Sequence, residues 1–267
     1  MQWLRSLAFN AAMYVWMLAV GVAYLPAMIV SRDGARRACD LYARTTLRLL
    51  ATMTGLRTEI RGTPPAGEAL VAAKHQSFLD ILMIWAAVPR GFFIMKALLR
   101  FAPILGQYAL RVGCIPVHRG RRAEALNMML TEVRSGERAG GQLIIYPQGT
   151  RVDPGVVRPY KVGTYALYEQ LGQPCHPVAT NVGVFWPKRG VTRRPGLGVV
   201  EFLEPIPPGL GRAEFMAALE ERIETHSNRL MAEAGFPVPG RPPALHGDPL
   251  TEAARAATRG RGPSGER

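Results

Sequence analysis

From residue 63 onward, short apolar runs alternate with longer segments of mixed polarity, a rhythm that predicts strands followed by helices. The runs at 69–73, 92–95, 114–117, 142–146, 176–180 and 198–203 are brief and mostly uncharged, as strands covered on both faces should be. Between and after them, residues 78–88, 98–111, 123–135, 159–171 and 212–234 read as helices. The last carries acid–base pairs on its polar face, such as Glu221 and Glu224 with Arg222 and Arg229. This alternation predicts an α/β domain over 57–235, with a mostly parallel sheet flanked by helices.

The amino-terminal pattern differs. Residues 7–30 hold no charged side chain, a run long enough to cross about 30 Å of hydrocarbon. Arg5 precedes the run and Arg32, Arg36 and Arg37 follow it, a bias that places the following domain on the cytoplasmic side of an inner membrane. Residues 40–56 predict an amphipathic helix with Arg44 and Arg48 on one face, suited to the headgroup level. Residues 1–56 thus read as a pair of membrane-anchoring helices. Pro26 allows a kink, so a full span and an insertion into one leaflet both satisfy the pattern. Residues 236–267 are rich in Pro, Gly, Arg and Ala and read as a disordered basic tail beside anionic lipid.

Composition narrows the partners. The chain is 48% hydrophobic yet carries a formal net charge of +13, which suits a membrane surface and acidic ligands. Its arginines are scattered and no aromatic platform accompanies them, which excludes a nucleic-acid binder. Cys39, Cys114 and Cys175 lie far apart, form no metal spacing, and read as reduced packing residues. There is no Gly-x-Ser-x-Gly elbow, no Cys beside a nearby His and no His-Glu-x-x-His pattern. Neither a resident metal nor a covalent nucleophile is expected.

The candidate chemistry begins at Lys74-His75-Gln76-Ser77-Phe78-Leu79-Asp80. A His at the carboxyl end of a strand and an Asp at the start of the next helix occupy the edge where α/β proteins place their sites. Asp80 is within reach to accept from one imidazole nitrogen, leaving the other to take a proton from a substrate hydroxyl. Taken alone, the pair also fits a plain helix cap. Two further strand ends carry arginines. Gly113 to Gly120 places Arg119 just past a strand, and Tyr146-Pro147-Gln148-Gly149-Thr150-Arg151 breaks another and presents Arg151. A third strand runs from His176 to Asn181. Arginines and turn glycines beside a His–Asp base suit a substrate bearing an alcohol and a phosphate.

In order, these blocks resemble those of the glycerolipid acyltransferase family: His-x4-Asp (His75, Asp80), Pro-Val-x-Arg (Pro116 to Arg119), Phe-Pro-Glu-Gly-Thr-Arg (Tyr146 to Arg151) and Val-Pro-Val-Ala (Cys175 to Thr180). The resemblance extends to about Ala234. It implies transfer of a fatty acyl chain from acyl-CoA or acyl-carrier protein to the sn-2 hydroxyl of 1-acylglycerol 3-phosphate, giving phosphatidic acid. It also implies His75 as general base oriented by Asp80, direct attack on the thioester, and no cofactor beyond the donor. Arg119, Arg151 and Lys96 match residues that hold the phosphate, and Gln148, Gly149 and Thr150 form the substrate loop. Backbone amides after His75 or in the Gly149 turn are the expected oxyanion donors.

One residue departs from the family pattern: Gln148 stands where the third block usually has Glu. That keeps open a second acceptor, lyso-ornithine lipid, with the same chemistry. A reading of another class is a non-catalytic membrane lipid-binding protein. His118 and His176 are expected to be structural, Cys114 a buried small residue, and Lys161 a solvent-facing charge.

Overall fold

The computed structural model describes residues 1–118, 131 and 140–237. All of the predicted helix 123–135 except residue 131, and residues 238–267 of the predicted tail, lie outside that description. Among the described residues, seven strands form one sheet: β1 (Leu56–Arg61), β2 (Ala69–Ala73), β3 (Gly91–Lys96), β4 (Ile115–Val117), β5 (Gln142–Ile145), β6 (Cys175–Thr180) and β7 (Gly196–Phe202). Their order is β1-β7-β6-β2-β5-β3-β4. Strands β2 to β6 are mutually parallel, as predicted. β7 runs antiparallel to β6 and carries β1 parallel to itself at the edge.

The period-2 alternation of strand side chains divides the core. Val71, Ala73, Ile144 and Val178 face one helical layer, whereas Leu70, Ala72, Leu143, Ile145 and Cys175 face the other. Every residue of β2 is buried, which explains its lack of polar alternation. The first layer contains α1 (Gln2–Ala23), α3 (Arg32–Thr54), α4 (Leu79–Ala87) and α5 (Leu105–Arg111). The second is built from α6 (Gly163–Leu171) and α8 (Arg212–Glu233). Two short helices, α2 (Leu25–Val30) and α7 (Val182–Phe185), complete the list among the described residues.

Several predicted elements are corrected. The single helix over 98–111 is a 3-10 turn, Ala97–Phe101, followed by α5. Pro103 separates them: it donates no backbone hydrogen bond and forces Ala102 into extended backbone, with φ −66 and ψ 126. The helix over 159–171 begins only at Gly163, because the Lys161 amide is drawn to the Pro147 carbonyl at 2.9 Å. Strand β1 has no counterpart in the predicted set; its polar residues disguise an edge strand with one neighbour.

Helix α1 passes the length and apolarity test for a membrane span. It nevertheless lies against the domain from end to end. Near its start the Gln2 amide donates to the carbonyls of Thr54 and Arg193, and the Ser6 hydroxyl accepts from the Arg193 amide. Phe9 meets Trp186 edge to face, with ring centroids 5.5 Å apart. Near its end, the Tyr108 hydroxyl donates to the Gly21 carbonyl at 2.8 Å. A side chain at Gly21 would collide with Ile104, so glycine is what permits this approach. The buried residues Ser6, Phe9, Met13 and Val20 follow a helical stripe, while Leu4, Leu7, Tyr14, Val15, Leu18 and Val22 stay exposed.

These two faces of α1 have separable roles. Phe9→Ala should lower stability by about 3–5 kcal/mol, read as an early melt in detergent. Val15→Asp should leave the melt in place and weaken binding to lipid vesicles. Equal effects of both substitutions on melting would show that the faces are not divided in this way.

Candidate active site

Because β2, β5, β3 and β6 run in parallel, the residues that follow them gather on one edge of the sheet. His75 and Asp80 follow the central β2, Tyr146 to Arg151 follow β5, Lys96 ends β3, and Asn181 follows β6. His118 lies beyond β4 on the same edge and is exposed. Arg119 lies outside the described residues. His176 sits at the start of β6, at the opposite edge, and takes no part in this constellation.

The His–Asp pair is made as predicted. His75 Nδ1 lies 2.8 Å from Asp80 Oδ1. A buried carboxylate accepts, so Nδ1 carries the proton and Nε2 the lone pair. Among the described residues no hydrogen bond is made at Nε2. The second oxygen of Asp80 accepts from the amides of Gln76 at 2.9 Å and Ser77 at 2.7 Å. One oxygen thus faces the imidazole while the other holds the backbone of the loop that leads into α4. Further bonds set the loop: the Lys74 amide donates to the Val178 carbonyl at 2.9 Å, and the Val152 amide donates to the His75 carbonyl at 2.7 Å.

Tyr146 is a participant that sequence reasoning missed. Its hydroxyl donates to Asp80 Oδ1 at 3.1 Å, and its ring stacks on the His75 imidazole at 3.8 Å, 17° from parallel. Burial, with the Asp80 charge and hydrogen bond added, holds the phenol well above its usual range, so it remains a donor. The available signal was that Tyr146 opens the third block and ends an apolar run. The residue leaves the predicted strand because its side chain is committed to Asp80.

The expected oxyanion donors need correction. The Gln76 and Ser77 amides are occupied by Asp80, and the Gly149 amide donates to the Tyr146 carbonyl at 2.8 Å. Those three amides are therefore committed before any negative charge develops. Gly149 itself is required by its backbone, with φ +68, and because a side chain there would strike Lys161. Lys161 is exposed, as expected, and the end of its side chain lies beside the Gly149 turn. Lys188 donates to the Arg151 carbonyl at 3.0 Å, adding a third cation to the half-buried loop of Thr150 and Arg151. Lys96 is exposed and pairs in register with Val117.

Gln148 is 5% exposed, and its amide faces the Glu224 carboxylate of α8 and the Arg158 carbonyl, each at 3.4 Å. Both oxygens of Glu224 lie 2.6 Å from the Lys74 ammonium, and the Tyr160 hydroxyl donates to one of them at 2.9 Å. Burial together with the Glu224 charge keeps the Tyr160 phenol protonated well above its ordinary value.

Residues 57–181 match the model of the acyltransferase family. The chain is 26% identical over 235 residues to the 1-acyl-sn-glycerol-3-phosphate acyltransferase of Pseudomonas aeruginosa, covering 85% of this chain and 88% of that one. It is 27% identical over 221 residues to the alpha 1-acyl-sn-glycerol-3-phosphate acyltransferase of Bos taurus, covering 80% and 76%. The crystal structure of the 1-acyl-sn-glycerophosphate (LPA) acyltransferase of Thermotoga maritima superposes with a TM-score of 0.73 at 23% identity, over 86% of this chain and 96% of that one, and so shares the fold.

Two substitutions separate the contacts of Asp80. Asp80→Asn should cut turnover by about 10²–10⁴-fold, since the acceptor that orients His75 is weakened and no charge faces the imidazolium. Tyr146→Phe keeps the stacking and removes one donor, so a loss of about tenfold is expected in steady-state kinetics.

Proposed function

We propose that this acyltransferase moves a fatty acyl chain from an acyl thioester, acyl-CoA or acyl-carrier protein, to the sn-2 hydroxyl of 1-acylglycerol 3-phosphate. The carrying observation is a buried His–Asp pair at the end of the central strand, beside the loop that bears Arg151. Relatives named for this activity support this acceptor. In this reading the acceptor hydroxyl gives its proton to His75 Nε2 as its oxygen attacks the thioester carbonyl. A carbon–oxygen bond forms, the carbonyl electrons move onto oxygen, and on collapse the carbon–sulfur bond breaks. The departing sulfur takes the proton back from Nε2. Asp80 stabilises the transient imidazolium throughout. The thioester is a substrate, and no resident cofactor enters any step.

Arg151 holds the acceptor phosphate in this scheme, with Arg119 and Lys96 assigned from the matching blocks. Lys188 and Lys161 set the loop and add to its positive field. The exposed apolar residues of α1, and Leu98, Leu99 and Phe101 of the 3-10 turn, offer hydrophobic surface for lipid. Because both ends of α1 are bonded to the domain, a full span would drag polar groups into hydrocarbon. Insertion into one leaflet on the cytoplasmic side fits these contacts, and the acceptor lipid then reaches His75 without leaving the interface.

The test offers lysophosphatidic acid and lyso-ornithine lipid side by side to detergent-solubilised protein, with acyl-CoA or acyl-carrier protein as donor. Turnover of lysophosphatidic acid that falls about 10²–10⁴-fold in His75→Ala is expected. Turnover of lyso-ornithine lipid alone would move the acceptor assignment. A folded protein inactive on both would favour the non-catalytic lipid-binding alternative.

A further inference from the structure

One partly buried carboxylate ties the base-bearing loop to the phosphate-side loop, and it comes from neither. Glu224 lies on α8, with both oxygens 2.6 Å from Lys74, the residue before His75. Lys74 is 2% exposed, so its charge must be matched where it sits. On the other side, Glu224 accepts from Tyr160 and from Gln148, which leads into the Gly149 turn and Arg151. The Gln148 amide nitrogen meets two acceptors, the Glu224 carboxylate and the Arg158 carbonyl. A carboxylate at position 148 would have no proton to offer either of them, and it would place a second negative charge against Glu224.

We propose that Glu224 is a positioning residue for the transfer reaction, and that position 148 is neutral in this chain because Glu224 already supplies the anion that Lys74 requires. The departure of Gln148 from the usual block is then a relocation of charge onto a helix rather than a change of acceptor. Glu224 acts through its neighbours: it holds Lys74, hence the His75 backbone, in register with the loop of Arg151. Misplacement of a reacting group by about 1 Å can cost about a hundredfold in rate, so such a tether matters without touching substrate. This inference rests on the acyl-transfer reading above.

The charged and titratable groups around Glu224 are Lys74 from the end of β2, Tyr160 from the loop before α6, and Glu220 one turn back on its own helix, which adds negative charge near Tyr160. In Q148E two carboxylates crowd one ammonium, so one of them holds a proton to higher pH than an isolated carboxylate does. The resulting defect is present when both are ionised and is lost as pH falls through the raised value.

The experiment compares full-length protein in detergent as wild type, Q148E, E224Q and Q148E/E224Q. Each single variant should lose about tenfold or more in kcat/KM, chiefly in kcat, while the double variant returns to within about threefold of wild type. The ratio of Q148E to wild-type activity should rise as pH is lowered, whereas the ratio for E224Q should not. Q148E with wild-type activity and melting would overturn the proposal, as would a double variant no better than the worse single. Wild type inactive on lysophosphatidic acid would overturn the acceptor reading instead. The melting curves need no substrate and still decide the charge rule: an early melt of Q148E that recovers toward acid and is absent in the double variant supports it, and any other pattern overturns it.

Discussion

A carboxylate removed from water must have its lone pairs occupied, and Asp80, fully buried, meets that demand at four points. His75 and Tyr146 donate to one oxygen, and the Gln76 and Ser77 amides donate to the other. Satisfying this one group determines the tautomer of the imidazole, the path of the loop after β2 and the start of α4. It also draws Tyr146 out of the β5 ladder and over the face of His75. A single buried charge thus links two strand ends across the sheet, and the site is stiff because the alternative is an unpaired charge in an apolar core.

A second buried charge, Lys74, repeats the logic one residue earlier in the chain. Its partner arrives from α8, far away in sequence, and brings the Gln148 loop and Tyr160 with it. The two clusters sit on either side of the His75 backbone. One orients the ring and the other holds the segment that carries it. The amino-terminal helices join the same body through the polar line of Gln2, Ser6 and Asn10, so the exposed apolar face of α1 and His75 belong to one packed unit.

The parallel sheet and most of its helices were legible because buried strands and amphipathic helices leave different periods in hydropathy. β1 was not, because an edge strand half open to solvent keeps charged residues and imitates a loop. The break at Pro103 is masked in the hydropathy pattern by the apolar residues on both sides of it. Within the site, His75 and Asp80 were legible because they lie close in sequence and on one turn. Tyr146 looked like an ordinary strand residue until its hydroxyl was placed against Asp80.

What the sequence by itself determined about this protein is local: the period of each element, the proximity of His75 and Asp80, and the glycine at 149 that its turn requires. Tertiary structure decided which partners complete each buried charge, because those partners are separated by up to 150 residues, as Lys74 and Glu224 are. It also showed that the amides nearest His75 are already committed, which no spacing rule reveals. The reason is physical. Hydropathy and short-range motifs report on solvent and on the next turn of chain, whereas the pairing of a buried charge depends on which distant groups the packed core brings within hydrogen-bonding distance.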